Sequence, residues 1–170
     1  MKLVLVSLVG IVIIVAILLS LLPAERVGEV RTTLPAARED IYRVVSDLRS
    51  HNWRSSLKQL KLLDATEGAE VWLEVPQKGP EMKFKTLTKV VPDRFEITMI
   101  DNPNIEAHWV GRFHATTPTT TEIHFVEKVH LKGWFAKGLS YLFFDVQASV
   151  EQYVEDLKAE LTRRQEAHHG

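Results

Sequence analysis

The chain has 170 residues, 45% of them hydrophobic and 25% charged, with a formal net charge of −1 and no cysteine. That is the length of one compact domain with an appendage. It excludes disulfides, thiol catalysis and cysteine-bound metal. With neither a basic excess nor a long run of like charge, it offers nothing to a nucleic-acid backbone.

Residues 3–22 carry no charged side chain, and Ser7, Gly10 and Ser20 are the main dilution of their Leu, Val and Ile. A helix of about twenty residues is about 30 Å long, the thickness of a hydrocarbon core. A secretory signal has a shorter apolar region, roughly 7–15 residues, before a small-residue cleavage site. Pro23 and Ala24 follow here, so cleavage is the competing reading. A helix apolar on every side has no place in the core of so small a domain. The expectation is an uncleaved membrane anchor over residues 1–24 and a second domain over 25–170. Lys2 on one side and Arg26 and Arg31 on the other give the positive-inside rule almost nothing to decide. A very short N-terminal tail that stays inside puts the following domain on the exported side.

Val30 and Thr32 suit a strand ending near Leu34, closed by Pro35. Ile41, Val44, Val45 and Leu48 then share one helical face opposite Arg38, Glu39, Asp40 and Arg43. Asn52 is placed to cap a second short helix carrying Trp53, Leu57 and Leu60. Six strand-like segments follow, over 61–66, 69–75, 81–91, 94–101, 106–116 and 122–131. They are separated by turn-rich pairs and loops such as Pro92-Asp93 and Asn102-Pro103-Asn104. Consecutive short turns imply an antiparallel sheet of about seven strands.

Alternation sorts the two faces of that sheet. A two-residue loop at Pro92-Asp93 pairs Val91 with Arg94 and sets Met82, Phe84, Thr86, Thr88 and Val90 beside Phe95, Ile97 and Met99. It also sets Lys89 opposite Glu96. In the next hairpin, pairing residues whose numbers sum to about 236 matches like with like. Ala107, Trp109, Gly111, Phe113, Ile123, Phe125, Val129 and Leu131 then share one face. His108, Arg112, His114, His124, Lys128 and His130 share the other. Those histidines are interleaved with cations that repel a metal ion, and solvated sheet residues are the simpler account. No metal or other cofactor is implied. Val71, Leu73 and Val75 are expected to point inward, leaving Trp72 and Glu74 outside.

Glu127 is the misfit on the apolar face, nearly opposite Trp109. A carboxylate in dry core is costly and is protonated or paired. Beside a cavity it becomes a polar anchor for a ligand or a proton donor or acceptor. The plainer alternatives are a bulge that turns it outward and a pair with a buried cation.

The chain closes with a stripe of Phe135, Leu139, Leu142, Val146, Val150, Tyr153, Leu157 and Leu161, spaced for one face of a single helix from Trp134 to Arg164. Burying such side chains gains about 1.5–3 kcal/mol each, while ordering each backbone residue costs about 1–2 kcal/mol. A helix of that length therefore needs a broad apolar surface, and the apolar sheet face is the one available.

Several segments resemble one family in order and spacing. They are Leu34-Pro35-Ala36, then Arg38-Glu39-Asp40-Ile41-Tyr42-Arg43-Val44-Val45-Ser46-Asp47, then His51-Asn52-Trp53. Val71-Trp72-Leu73-Glu74, Met82-Lys83-Phe84, Pro92-Asp93-Arg94-Phe95 and the terminal Tyr153-Val154-Glu155-Asp156-Leu157-Lys158 continue the series. Together they resemble the SRPBCC superfamily, the START-like, polyketide cyclase/dehydrase-like group, over residues 28–162. The resemblance implies an α+β helix-grip fold, in which a curved antiparallel sheet wraps a long C-terminal helix with an apolar cavity between them. Members bind lipids, sterols, polyketides, quinones or other hydrophobic molecules, and a minority are enzymes. No catalytic motif is shared across the family, so no residue inherits a role. The N-terminal span departs from the usual soluble member and resembles a bacterial subgroup.

The leading expectation is a membrane-tethered binder of a small hydrophobic molecule. The candidate lining is Phe84, Met99, Trp109, Phe113, Phe125 and Glu127 from the sheet and Leu142 and Val146 from the helix. Two alternatives stand beside it. One is a cyclase- or hydratase-type enzyme using Glu127; the other is a module without a cavity that docks a membrane partner. No nucleophile–base pair, phosphate loop or metal cluster supports catalysis.

Overall fold

The computed structural model describes residues 2–66 and 68–169, with the side chains of residues 2–6, 8, 9, 66, 135, 136, 143, 168 and 169 outside that description. Helix α1 (Lys2–Ser20) leads into strand β1 (Glu25–Leu34) and helix α2 (Arg38–Ser46). Six strands follow: β2 (Leu57–Thr66), β3 (Ala69–Pro76), β4 (Met82–Val90), β5 (Arg94–Ile100), β6 (Ile105–Thr117) and β7 (Thr120–Leu131). Helices α3 (Trp134–Phe143) and α4 (Val146–His169) complete the chain. The strands form one antiparallel sheet of seven in the order β1-β7-β6-β5-β4-β3-β2. α4 packs across its inner face, the helix-grip arrangement.

β1 begins at Glu25 and ends, as expected, at Leu34. It is an edge strand zipped against β7 from Glu25–His130 to Leu34–Thr121, and that ladder carries the polar N-terminal residues along. α2 buries Ile41, Tyr42, Val44 and Val45. The second short helix does not form. The Arg54 N–H donates to the His51 carbonyl at 3.0 Å and the Leu57 N–H to the Arg54 carbonyl at 3.1 Å. Two successive turns thus replace the helix and deliver the chain into β2 at Leu57.

The β6–β7 ladder holds the expected register from Ile105–Leu131 to Ala115–Thr121, with Trp109 directly opposite Glu127. The apolar face expected there is buried apart from the half-buried Trp109, and Phe125 and Ile123 are fully so. The β4–β5 hairpin differs near its turn. Val90 pairs with Arg94 and Lys89 with Phe95, until an irregularity between Thr86 and Thr88 shifts the ladder by one. Beyond it Thr86 pairs with Ile97 and Phe84 with Met99, so the far half keeps the expected faces, but two residues out of the register that Val91 opposite Arg94 would set. Lys89 consequently lies 5.4 Å above the Phe95 ring rather than opposite Glu96.

The C-terminal stripe is carried by two helices. Phe144 is extended at φ −135°, ψ 121°, while its N–H still bonds to the Ser140 carbonyl at 2.9 Å. Asp145 restarts the chain by accepting the Ala148 N–H on its side chain at 3.1 Å, the contact of an N-cap. α4 lies closely on β1 at Gly28, where a Cβ would meet the Val146 carbonyl oxygen at 2.5 Å. The core divides into three clusters. The largest joins α2, α4 and the β1–β7–β6 region around Phe113, Phe125, Val150, Val154 and Leu157. A second holds Leu48, Leu60, Trp72 and Phe84, and a third Ala107, Val129, Leu131 and Val146.

Among the described residues no helix is long and apolar enough to cross a membrane. α1 covers 19 residues, and the first part of the apolar run read from the sequence lies outside the described side chains.

Candidate functional site between the sheet and helix α4

The three clusters meet at side chains that none of them encloses. Ile97 and Met99 on β5, Trp109 on β6 and Tyr153 on α4 are only partly buried, although they lie on the covered face. Their packing is therefore less complete than that of the clusters around them. The Trp109 ring folds over Gly111, whose absent side chain leaves it room, and packs 5.0 Å from the Phe125 ring and 5.7 Å from Tyr153. Tyr153 also meets Trp53 edge to face at 5.1 Å. This junction is largely aromatic.

One polar group is built into it from β3 and the 51–56 turns. Arg54 donates to the two oxygens of Glu74 at 2.5 and 3.0 Å, and the Trp72 indole N–H donates to Glu74 at 3.1 Å. Trp72 and Glu74 therefore face inward, at 0% and 4% exposure, which corrects the expectation that they point outward. The physical reason is the bidentate arginine: a buried carboxylate is tolerable when paired and fully hydrogen-bonded. Burial works against the Arg54 charge, but Glu74, and more weakly Tyr153 and Glu127, hold the guanidinium protonated beyond its ordinary range. Arg54 also lies 5.2 Å over the Tyr153 ring. The turns are pinned to α4 by Asp156, which accepts from the Ser55 N–H at 2.7 Å and its hydroxyl at 2.8 Å.

Glu127 points to the same junction. No ladder irregularity turns it outward, and it sits between Gly28 on β1 and Trp109 on β6. Desolvation pushes its carboxyl up to about 7; Arg54 opposes the rise and Glu74 adds to it. Burial likewise raises the Tyr153 hydroxyl, against the pull of Arg54. Neither the Glu127 carboxyl nor the Tyr153 hydroxyl has a hydrogen bond among the described residues. A proton donor and an acceptor thus stand unpaired beside an already neutralised ion pair.

The residues expected to line this site divide into three groups. Met99, Trp109 and Glu127 lie at the junction. Phe84, Phe113, Phe125 and Val146 are buried in the surrounding clusters, Phe84 stacked on Trp72 at 5.9 Å and Phe113 edge-on to Tyr42 at 5.4 Å. Leu142 stands apart, 74% exposed on α3, a helix separate from α4 that contacts α1. Arg54, Glu74 and Tyr153 were not among the candidates. Tyr153 belonged to the stripe, but nothing in the sequence around Arg54 marks it as a partner of Glu74.

A separate depression of about 530 Å³ lies over the other face, lined by Arg31, Arg38, Arg94, Arg112, His114 and His124 with Asp93 and Glu122. Among the described residues no group of three His, Asp or Glu side chains could hold a metal ion.

No protein-family model and no curated protein matches the chain. Solved structures do match in fold. Norcoclaurine synthase from Thalictrum flavum, in complex with dopamine and hydroxybenzaldehyde, aligns with a TM-score of 0.62 at 15% identity, over 82% of this chain and 87% of that one. The ZhuI aromatase/cyclase from Streptomyces sp. R1128 aligns at 0.65 and 14%, over 82% and 95%. A START superfamily protein from Mycobacterium smegmatis aligns at 0.62 and 15%, over 81% and 97%. The chain has the START-like helix-grip fold of these proteins.

Proposed function

We propose that the protein is a membrane-tethered binder of a small hydrophobic molecule, held between the sheet and α4 with a polar end at Glu127. The observation that carries this reading is the junction of half-buried Ile97, Met99, Trp109 and Tyr153 around an unpaired carboxyl. Apolar walls with a few convergent polar groups are the pattern of small-molecule sites. Two proteins of similar fold support the ligand class: one is held in complex with dopamine and hydroxybenzaldehyde and another is named an aromatase/cyclase. An aromatic or quinone-like molecule bearing a carbonyl or hydroxyl suits Glu127 and Tyr153.

The tether is residues 3–22, uncharged throughout. In α1, Ile11, Val12, Ile13, Ile14, Ile17 and Leu18 are each more than half exposed, a surface that water does not favour. In this reading the domain faces the exported side. Protease protection of the reconstituted chain tests both: cleavage sites in the domain protected by a sealed inner membrane and exposed on its outer side are expected.

One observation favours a second reading. A carboxyl held near neutral pH is suited to general acid–base work, so an enzyme of the cyclase or hydratase type using Glu127 stands as the alternative.

The deciding experiment is native mass spectrometry and organic extraction of the full chain purified in detergent. A stoichiometric hydrophobic molecule is expected. Finding none, together with no binding from a panel of lipids, quinones and aromatic polyketides, overturns the binder. Turnover of an identified ligand that is lost in Glu127→Gln establishes the enzyme instead.

A further inference from the structure

α3 is fastened to the end of α1 and to the start of β1. Gly138 packs on Leu19, where a Cβ would lie 2.8 Å from a leucine methyl. The Lys137 ammonium donates to the Ser20 carbonyl at 3.2 Å, and the Tyr141 hydroxyl to the Pro23 carbonyl at 3.5 Å. Arg26 donates to the Ser140 carbonyl at 3.0 Å and hydroxyl at 2.9 Å, and lies 4.6 Å over the Tyr141 ring. Around these anchors α3 and its C-terminal cap expose Leu142 at 74%, Trp134 at 46%, Leu139 at 44% and Phe144 at 43%. Such a grouping on one short helix does not belong in water.

The attachment fixes the depth of α3. Leu19 is three residues from the end of the apolar run at Leu22, about 4–5 Å at helical rise. An amphipathic helix that lies in a membrane surface sinks its apolar face roughly 5–10 Å into the boundary between headgroups and acyl chains. Trp134, Tyr141 and Lys137 are the residue types that favour that boundary.

We propose that α3 is an interfacial membrane helix, lying in the bilayer surface beside α1 with Leu139, Leu142 and Phe144 in lipid. The inference rests on α1 being the anchor, as proposed above. It seats the start of β1 and the head of α4 on the lipid surface, so a hydrophobic ligand need not cross water to reach the domain.

The absence of cysteine allows a direct test. The full chain with a single spin label at Leu142→Cys, Leu139→Cys, Ile13→Cys or Ala159→Cys is reconstituted in phosphatidylcholine–phosphatidylglycerol vesicles. Collision with oxygen is then compared with collision with a water-soluble nickel chelate. All four positions are exposed and outside the buried core. Labels at Leu139 and Leu142 are expected to favour oxygen, at shallower depth than Ile13, while Ala159 favours nickel. If Leu139 and Leu142 behave like Ala159 while Ile13 stays immersed, the inference falls and the anchor stands. If they are shielded from both reagents, a protein partner or second copy covers α3 and the inference also falls. Nickel access at Ile13 as well overturns anchor and inference together.

Discussion

Arg54 holds Glu74 by two parallel hydrogen bonds, at 2.5 and 3.0 Å, in a setting where Glu74 is 4% exposed. The pair ties the 51–56 turns to β3, and through Ser55 and Asp156 to α4. Breaking a buried pair by removing one partner strands a charge, at a cost of about 3–5 kcal/mol. Arg54→Ala is expected to lose that much by denaturant unfolding in detergent. Replacing both residues with apolar ones, Arg54→Met with Glu74→Leu, is expected to recover most of the loss. If the double variant is as unstable as the single one, the stranded charge is not the cause.

Glu127 predicts a pH dependence. Its carboxyl is raised in the folded protein from an ordinary 4.5 to about 7. The folded state therefore binds the proton more tightly than the unfolded state. The stability it contributes is complete below about pH 4.5 and is lost as pH rises through 7. A shift of this size corresponds to roughly 3 kcal/mol once the group is ionised. Glu127→Gln keeps the shape and removes the titration. Its midpoint is expected to draw ahead of the parent's as pH rises from 5 to 8. Parallel curves over that range contradict the placement of Glu127.

How much of this was legible in the sequence varied with position. The β6–β7 ladder was readable because both of its faces have a distinct character. A one-residue slip there would bury His124 and expose Phe125, so only one register is stable. Near the β4–β5 turn no such penalty exists, since Thr88 and Lys89 are tolerated on either face, and the irregularity between Thr86 and Thr88 left no mark. The helix break was hidden because Leu142 and Val146 stay in phase across it, although Asp145 carried the signal of a cap. Glu127 announced itself as a charge in an apolar pattern. Glu74 was assigned to the wrong face because its partner lies in a turn twenty residues earlier, where periodicity says nothing.

Asp145 sets where α4 begins, through its bond to the Ala148 N–H. Asp145→Ala is expected to cost about 1 kcal/mol and Asp145→Asn much less, because asparagine caps as well. A lowered thermal midpoint for alanine alone checks this.

Gly28 is where α4 comes closest to the sheet. A Cβ there would stand 2.5 Å from the Val146 carbonyl oxygen and 3.0 Å from a Val150 methyl. The oxygen is backbone and cannot rotate aside, so Gly28→Ala must lift the head of α4. A loss of about 1–3 kcal/mol is expected, the usual cost of overpacking. Unchanged stability would mean that α4 is less firmly seated on β1 than its geometry indicates.

Met99 separates an open junction from a filled one. It packs against two of the three clusters and yet stays partly exposed on the covered face. If it borders open space, Met99→Trp fills that space in place of a ligand. Stability should then change by less than about 1.5 kcal/mol, as for a tolerated apolar swap. The co-purifying molecule should be lost at the same time. If the space is closed, the added ring must displace neighbours in those clusters, Phe84 among them, and destabilisation of about 1–3 kcal/mol follows. The two readouts are independent, unfolding by circular dichroism and ligand content by mass spectrometry. A stable variant that still carries its ligand places the binding site away from Met99. An unstable one indicates a packed interior and returns the fold to the role of a docking module.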